Sequence, residues 1–193
     1  MPETLKPYSM ITDFVTGKEI PNVGAEENRQ IVEKFLVIEN GYAKEDIEVD
    51  VDLEISIAGQ PYRSQIDLIV SVDGGAVRLM AFKCAAASLG SREREILAAA
   101  RLLEKNQIPL SVVSDGRTAI VLDTVSGRKL GEGLDAIPSK EEAIEKLSKW
   151  VLLPFPEEKR ERESLIFRSY DSMNVNVGRN INRVQSERCD KKE

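Results

Sequence analysis

Apolar and polar residues alternate without a break across residues 48–57, with Val49, Val51, Leu53, Ile55 and Ile57 set against Glu48, Asp50, Asp52, Glu54 and Ser56. A period of two over ten residues predicts a β-strand with one face in a core and the other turned to solvent or a site. Gly59-Gln60-Pro61 reads as a turn. Residues 65–72 then read as a second strand, Ile66, Leu68, Val70 and Val72 facing inward and Gln65, Asp67, Ile69 and Ser71 outward. Asp73-Gly74-Gly75 predicts a hairpin into a third strand, residues 76–84. Shorter apolar runs at 110–113 and 118–123, joined by Ser114-Asp115-Gly116, predict two more.

Spacings of three and four mark the helices. Ile31, Val32, Phe35 and Leu36, with Glu39 at the edge of the stripe, predict a helix over 25–39 that Asn40-Gly41 ends. Ile96, Leu97, Ala99, Ala100, Leu102 and Leu103 predict a second over 92–106, capped by Ser91. Ser139 and Glu142 form a capping box that opens a third over 140–151. Pro154-Phe155-Pro156 breaks it, and 157–170 reads as a highly charged fourth, its Lys159–Glu163 run a solvated face. Trp150 and Phe155 are expected to pack the last helices onto the core. The order helix, three strands, helix, two strands predicts an α/β protein, a mixed sheet flanked by helices with a helical C-terminal extension. The expected divisions are an irregular lead-in over 1–24 with a short hairpin near Thr16-Gly17, an α/β domain over 25–151, a C-terminal helix within 152–173, and a mobile tail over 174–193.

Composition narrows the chemistry. The 193 residues contain no histidine, which excludes imidazole bases, Ser-His-Asp and Cys-His nucleophiles and His-ligated metals. Two cysteines, Cys84 and Cys189, are too few for a disulfide framework or an all-cysteine zinc site, which fits a reducing, cytoplasmic compartment; Cys84 reads as a buried apolar residue. The first ten residues carry Glu3 and Lys6 and no apolar core, so no export signal is expected, and no apolar run is long enough to span a bilayer. A net charge of −6 argues against strong non-specific nucleic-acid affinity but allows a local basic groove. Neither a P-loop nor a helix-turn-helix signature is present.

One pair of residues stands out. Asp67 lies on the second strand, and the 73–75 hairpin folds the third strand back beside it. Lys83 is an ammonium in the third strand among Val77, Leu79 and Ala81. Burying it requires a partner, and Asp67 is nearest by topology. That pairing is either a strand-end ion pair or part of a site.

The run Tyr62-Arg63-Ser64-Gln65-Ile66-Asp67-Leu68-Ile69-Val70, followed by Leu79-Met80-Ala81-Phe82-Lys83-Cys84, resembles the PD-(D/E)XK nuclease superfamily. More narrowly, it is similar to the N-terminal nuclease domain of type I restriction enzyme R subunits. Glu26-Glu27-Asn28-Arg29-Gln30, Gly41-Tyr42, Ile47-Glu48-Val49, Ser114-Asp115-Gly116-Arg117 and Ile137-Pro138-Ser139 add to the likeness. The resemblance implies a restriction-endonuclease-like fold over 25–151 and a Mg²⁺-dependent phosphodiester hydrolase. It places the metal at Asp67, the residue-81 side chain and the Phe82 carbonyl, with Lys83 orienting water or neutralising charge and Glu27 completing the site.

Position 81 is Ala where that pattern has Glu or Asp, and Ala98 and Leu102 stand where Gln and Tyr are usual. The resemblance therefore implies reduced or lost catalysis. The alternative is an inactive nucleic-acid-binding or protein-interaction module of the same fold. Asp52 or Glu54 on the neighbouring strand could supply the missing acid, or form a plain solvated face. Arg63, Arg92, Arg94 and Arg117, with Arg78 and Arg101, could rim a phosphate groove; Arg92 and Arg94 could equally pair within their own helix. The partners implied are DNA and a partner protein or a second copy of the chain, and no membrane.

Overall fold

The computed structural model describes residues 8–147 and 152–172. The expected tail, Trp150, Cys189 and the end of the third helix lie outside these residues. Among the described residues no helix is long and apolar enough to cross a membrane.

Six strands form one mixed sheet in sequence order: β3 (Ile47–Ile57), β4 (Gln60–Val72), β5 (Val77–Cys84), β6 (Leu110–Ser114), β7 (Ala119–Asp123) and β8 (Lys129–Glu132). All neighbours are antiparallel except β5 and β6, whose parallel pairing requires a crossover, supplied by helix α2 (Glu93–Leu102). Helices α1 (Glu26–Ile38) and α3 (Lys140–Leu147) contribute to the core on one face. Helices α2 and α4 (Glu157–Asp171) cover the other. The expected mixed α/β sheet flanked by helices is the observed class. The short hairpin near Thr16-Gly17 is the antiparallel pair β1 (Met10–Thr12) and β2 (Glu19–Pro21).

The strand pattern hides a change of face. A regular strand keeps residues i and i+2 on one side, yet Val49 packs with the α1 layer and Val51 with the α2 layer. On β4, Ile66 belongs to the α2 layer and Leu68 to the α1 layer. The pairs Val49↔Leu68 and Val51↔Ile66 set Asp50 and Asp67 opposite each other, so both strands exchange faces at one level of the sheet. Asp50 has φ 54°, a left-handed conformation that costs a non-glycine residue of order 1 kcal/mol. The even alternation of β3 therefore serves two cores, not one. The outward set expected on β4 is corrected accordingly: Asp67, Ile69 and Ser71 are all buried, because helices cover both faces.

Other boundaries moved for local reasons. The β3–β4 turn is the two residues Ala58 and Gly59, at φ 50° and 76°, and pairing resumes at Gln60; positive φ at both positions is the geometry that glycine favours. Pro61 sits within β4 because this end of the strand pairs with β3 alone, leaving its other side without a ladder. Ser91 does not cap α2: its hydroxyl donates to the Ser88 carbonyl within a short 3₁₀ turn, Gly90–Arg92. The box at Ser139 forms as expected, with the Ser139 N–H donating to Glu142 Oε2 at 2.9 Å and the Glu142 N–H to Ser139 Oγ at 3.3 Å. β8 has no sequence signal, being four edge residues of which all but Gly131 are exposed.

The N-terminal hairpin is fastened by buried charge. Arg29 of α1 lies 3.3 Å from Asp13, 3.8 Å from Glu33 and 3.3 Å from Asp50, and its Nε donates to Glu26 at 2.8 Å. Gln30 accepts the Phe14 N–H at 2.6 Å and Glu33 accepts that of Val15 at 3.1 Å. Burial, then the Asp13 charge, push the Glu33 carboxyl up to about 7 against the pull of Arg29 and the Val15 N–H. Burial also opposes the Asp13 charge, but hydrogen bonds from Thr16 and the field of Arg29 outweigh it and hold that carboxyl low.

Between pH 4.5 and about 7 the folded chain therefore keeps a proton on Glu33 that the unfolded chain has released. Stability falls as pH rises through that window. Asp13 works in the opposite sense, and only as pH drops below its ordinary 3.8. Urea denaturation between about pH 5 and 8 is expected to show a loss of roughly 1–3 kcal/mol. Glu33→Gln should flatten that slope, and an unchanged slope would place the titration elsewhere.

Candidate functional site

The register carries Lys83 to its partners. Leu68↔Phe82 and Ile69↔Ala81 pair across β4 and β5, which puts Lys83 beside Asp67. Lys83 shares a face with Ala81, toward α2, while Phe82 turns into the α1-side core. Lys83 Nζ lies 3.7 Å from Asp67 Oδ1 and 3.0 Å from Glu95 Oε1 in the first turn of α2. The other oxygen of each acid is also engaged. Asp67 Oδ2 accepts the Cys84 N–H at 2.7 Å, and Glu95 Oε2 is 3.2 Å from Arg92 Nη1. The exposures are 2% for Asp67, 6% for Lys83 and 2% for Glu95.

The expected contact between Asp67 and Lys83 is present, but the shorter partner is Glu95, which the sequence reading missed. The Ser-Arg-Glu-Arg-Glu start suggested pairing of Arg92 and Arg94 within their own helix. The available signal was helical phase: Glu95 is four residues before Ala99 and seven before Leu102, both inward-facing. A carboxylate on that stripe must meet a cation on the strand below. Ala98 and Leu102, at the positions noted above, are buried apolar contacts of the same face.

The remaining candidates lie elsewhere. Glu27 is exposed, and its carboxylate accepts a hydrogen bond from Asn22 at 2.8 Å rather than meeting Lys83. The next residue, Asn28, donates to the Ala85 carbonyl at 2.7 Å and pins α1 to the end of β5. Asp52 accepts from Gln65 at 3.0 Å and Glu54 pairs with Arg63 at 2.9 Å, both on the side of β3 away from Val51, Leu53 and the α2 layer. They form the solvated face, and Arg63 belongs to it. Arg92 and Arg94 stand together at the start of α2; Arg92 pairs within the helix, but Arg94 lies 3.6 Å from Glu163 of α4. Arg117 is exposed in the β6–β7 turn. Gly116 beside it has φ 81°, and a Cβ there would lie 2.8 Å from Ile31 of α1, so this turn must be bare to seat against the helix. Arg78 pairs with Glu48 and Glu104, and Arg101 with Glu163.

Chemically, two carboxylates converge on one ammonium inside the protein. Among the described residues no group of three or more acidic or thiol side chains gathers to hold a metal. Two carboxylates are nevertheless enough oxygen for Mg²⁺ when waters and substrate phosphates complete its shell. The donor set thus fits a hard dication, provided that the cations now on the acids give way. Cys84 offers no alternative nucleophile: burial pushes its thiol well up, and the Asp67 charge adds to this.

A family model described as type I restriction enzyme R protein N terminus matches residues 24–138, more than half of the chain. No curated protein and no solved structure gives a significant match.

Removing the ammonium alone leaves two carboxylates facing each other in a dry interior. Lys83→Met is expected to lower unfolding stability by about 3 kcal/mol or more, read by urea denaturation at neutral pH. Adding Glu95→Gln should return part of that loss, because the two effects are coupled. Additive losses would mean that Glu95 is not a significant partner of Lys83.

Proposed function

The chain belongs to the type I restriction enzyme R protein N-terminus family, and from that premise we propose that it is a metal-dependent phosphodiester hydrolase acting on DNA. In this reading Glu95 takes over the duty of the acid absent at position 81. The observation that carries it is the 3.0 Å contact of Glu95 with Lys83, beside Asp67. An acid and a lysine on neighbouring strands, joined by a second acid from the crossover helix, reconstitute the acid–acid–lysine set without a carboxylate at Ala81.

Asp67 and Glu95 would hold Mg²⁺, with the Phe82 carbonyl as a backbone donor, and the ion would supply a more acidic water and a Lewis acid for a phosphoryl oxygen. Lys83 would donate to that water or to a phosphate oxygen. Its flexible four-carbon stem lets it exchange a carboxylate partner for a phosphate. Asp67 is held in place by the Cys84 N–H, so its orientation survives a change of partner by Lys83. With a net charge of −6, DNA affinity has to come from cations close to the site, and the resulting complex is expected to be weak and sensitive to salt.

A second reading has its own support. Side chains only 2–6% exposed, with an arginine on the outer acid, also describe a closed ion cluster in a non-catalytic DNA-binding or protein-interaction module.

Cleavage of plasmid and oligonucleotide DNA with Mg²⁺ or Mn²⁺ separates the two. The hydrolase reading expects activity that Lys83→Ala, Asp67→Asn and Glu95→Gln each reduce by about 10²-fold or more. It also expects Ala81→Glu to restore part of the activity in the Glu95→Gln background, since residue 81 shares a face with Lys83. Wild-type cleavage no greater than that of Lys83→Ala would leave the closed cluster.

A further inference from the structure

Glu95 is shared between two cations, and they are not equivalent. One oxygen is 3.0 Å from Lys83 and the other 3.2 Å from Arg92. A metal ion on a Glu95 oxygen is repelled by both cations, and the withdrawal of either would ease its binding. Lys83 projects from a strand paired on both sides, its side chain is 8% exposed, and Asp67 holds it as well. Arg92 closes the 3₁₀ turn that leads into α2, follows an exposed loop at 86–88, and is 24% exposed. Lys83 can change partner but stays within the site, so the cation able to leave it is Arg92. Its planar guanidinium binds a phosphodiester in the same two-pronged way that it binds a carboxylate.

We propose that Arg92 is a positioning residue that masks Glu95 in the free protein and transfers to a DNA phosphate on binding, so that DNA unmasks the metal site. This rests on the reading of Asp67 and Glu95 as metal carboxylates. Arg92 carries one positive charge away from Glu95 when it moves, which lowers the repulsion that opposes a dication. The coupling runs both ways: DNA raises metal affinity, and metal raises DNA affinity by the same factor. The metal is thereby admitted mainly where a strand is already bound, without a moving domain.

The test is Mn²⁺ binding to the full chain by calorimetry, with and without a short duplex carrying non-cleavable phosphorothioate linkages. Wild type is expected to bind Mn²⁺ about three- to ten-fold more tightly when the duplex is present. Arg92→Gln should bind Mn²⁺ more tightly than wild type in the absence of DNA, lose the dependence on duplex, and show a raised KM with kcat nearly unchanged. Arg92→Lys, which keeps a charge for both partners, should retain the coupling in part. Unchanged Mn²⁺ affinity in Arg92→Gln, with wild type still binding the ion, would overturn the masking role and leave the metal site standing. The same holds if Arg92→Gln lowers only the melting temperature, or if Arg92→Lys behaves like it. No Mn²⁺ binding by either protein, with or without duplex, would remove both the masking role and the metal-site reading beneath it.

Discussion

A protonated amine cannot stay in the interior of a sheet without compensating charge, and much of this fold is arranged around that demand at Lys83. Asp67 meets part of it through strand register, and Glu95 meets the rest from the helix above. For Glu95 to arrive there, the parallel β5–β6 connection must cross on the face that bears Lys83, with the first turn of α2 directly over the end of β5. Small residues make this approach possible. Ala81 on the strand and Ala98, Ala99 and Ala100 on the helix are all buried in this layer. A larger residue at 81 would compete with Glu95 for the space beside Lys83. The alanine that departs from the family pattern is thus also the residue that gives Glu95 room.

The same level of the sheet solves a second electrostatic problem. Asp50 and Asp67 oppose each other across β3 and β4, where two carboxylates on one face would repel. The exchange of faces sends them apart: Asp50 toward Arg29 under α1, Asp67 toward Lys83 under α2. Each acid has its own cation on its own side. The positive φ of Asp50 accompanies this arrangement, and its cost is offset by the Arg29 ion pair and by two cores that both stay apolar. On the α1 side the compensation runs further, since Arg29 also reaches Asp13 and so ties the N-terminal hairpin to the sheet.

Most of the fold was legible because period and turn chemistry agree locally. The strands from Ile47 to Cys84, the Ser139–Glu142 box and the hairpin around Thr16-Gly17 all have short-range causes. What the pattern could not express was which layer a strand residue faces once the pleat is interrupted. Val49 and Val51 look equivalent in the sequence and belong to different cores. At the site, Asp67 and Lys83 were legible from hairpin topology, whereas Glu95 was not. A carboxylate in a charge-rich helix start reads as solvated until the phase of the helix against the strand is known. Ser91 failed for a related reason: a 3₁₀ turn placed Arg92, not Ser91, at the helix boundary.

Moving an acid from strand to helix changes what controls its position. A strand donor is fixed by ladders on both sides, while Glu95 is only as fixed as α2. That helix is held from outside by α4, which lies beyond the matched residues 24–138. Glu163 of α4 is 2.7 Å from Arg101 and 3.6 Å from Arg94, and Arg160 donates to the Leu102 carbonyl at 3.2 Å. Phe167 fills the same core, set edge-on to Tyr62 of β4, whose hydroxyl donates to Asp171 at 2.6 Å. These contacts clamp α2 at its start and its end and bind it to the strand that carries Asp67. The geometry of Asp67, Lys83 and Glu95 therefore depends on a C-terminal element that supplies none of the three. Loosening α4 would act on the acids through the tilt of α2, before any effect on the sheet itself.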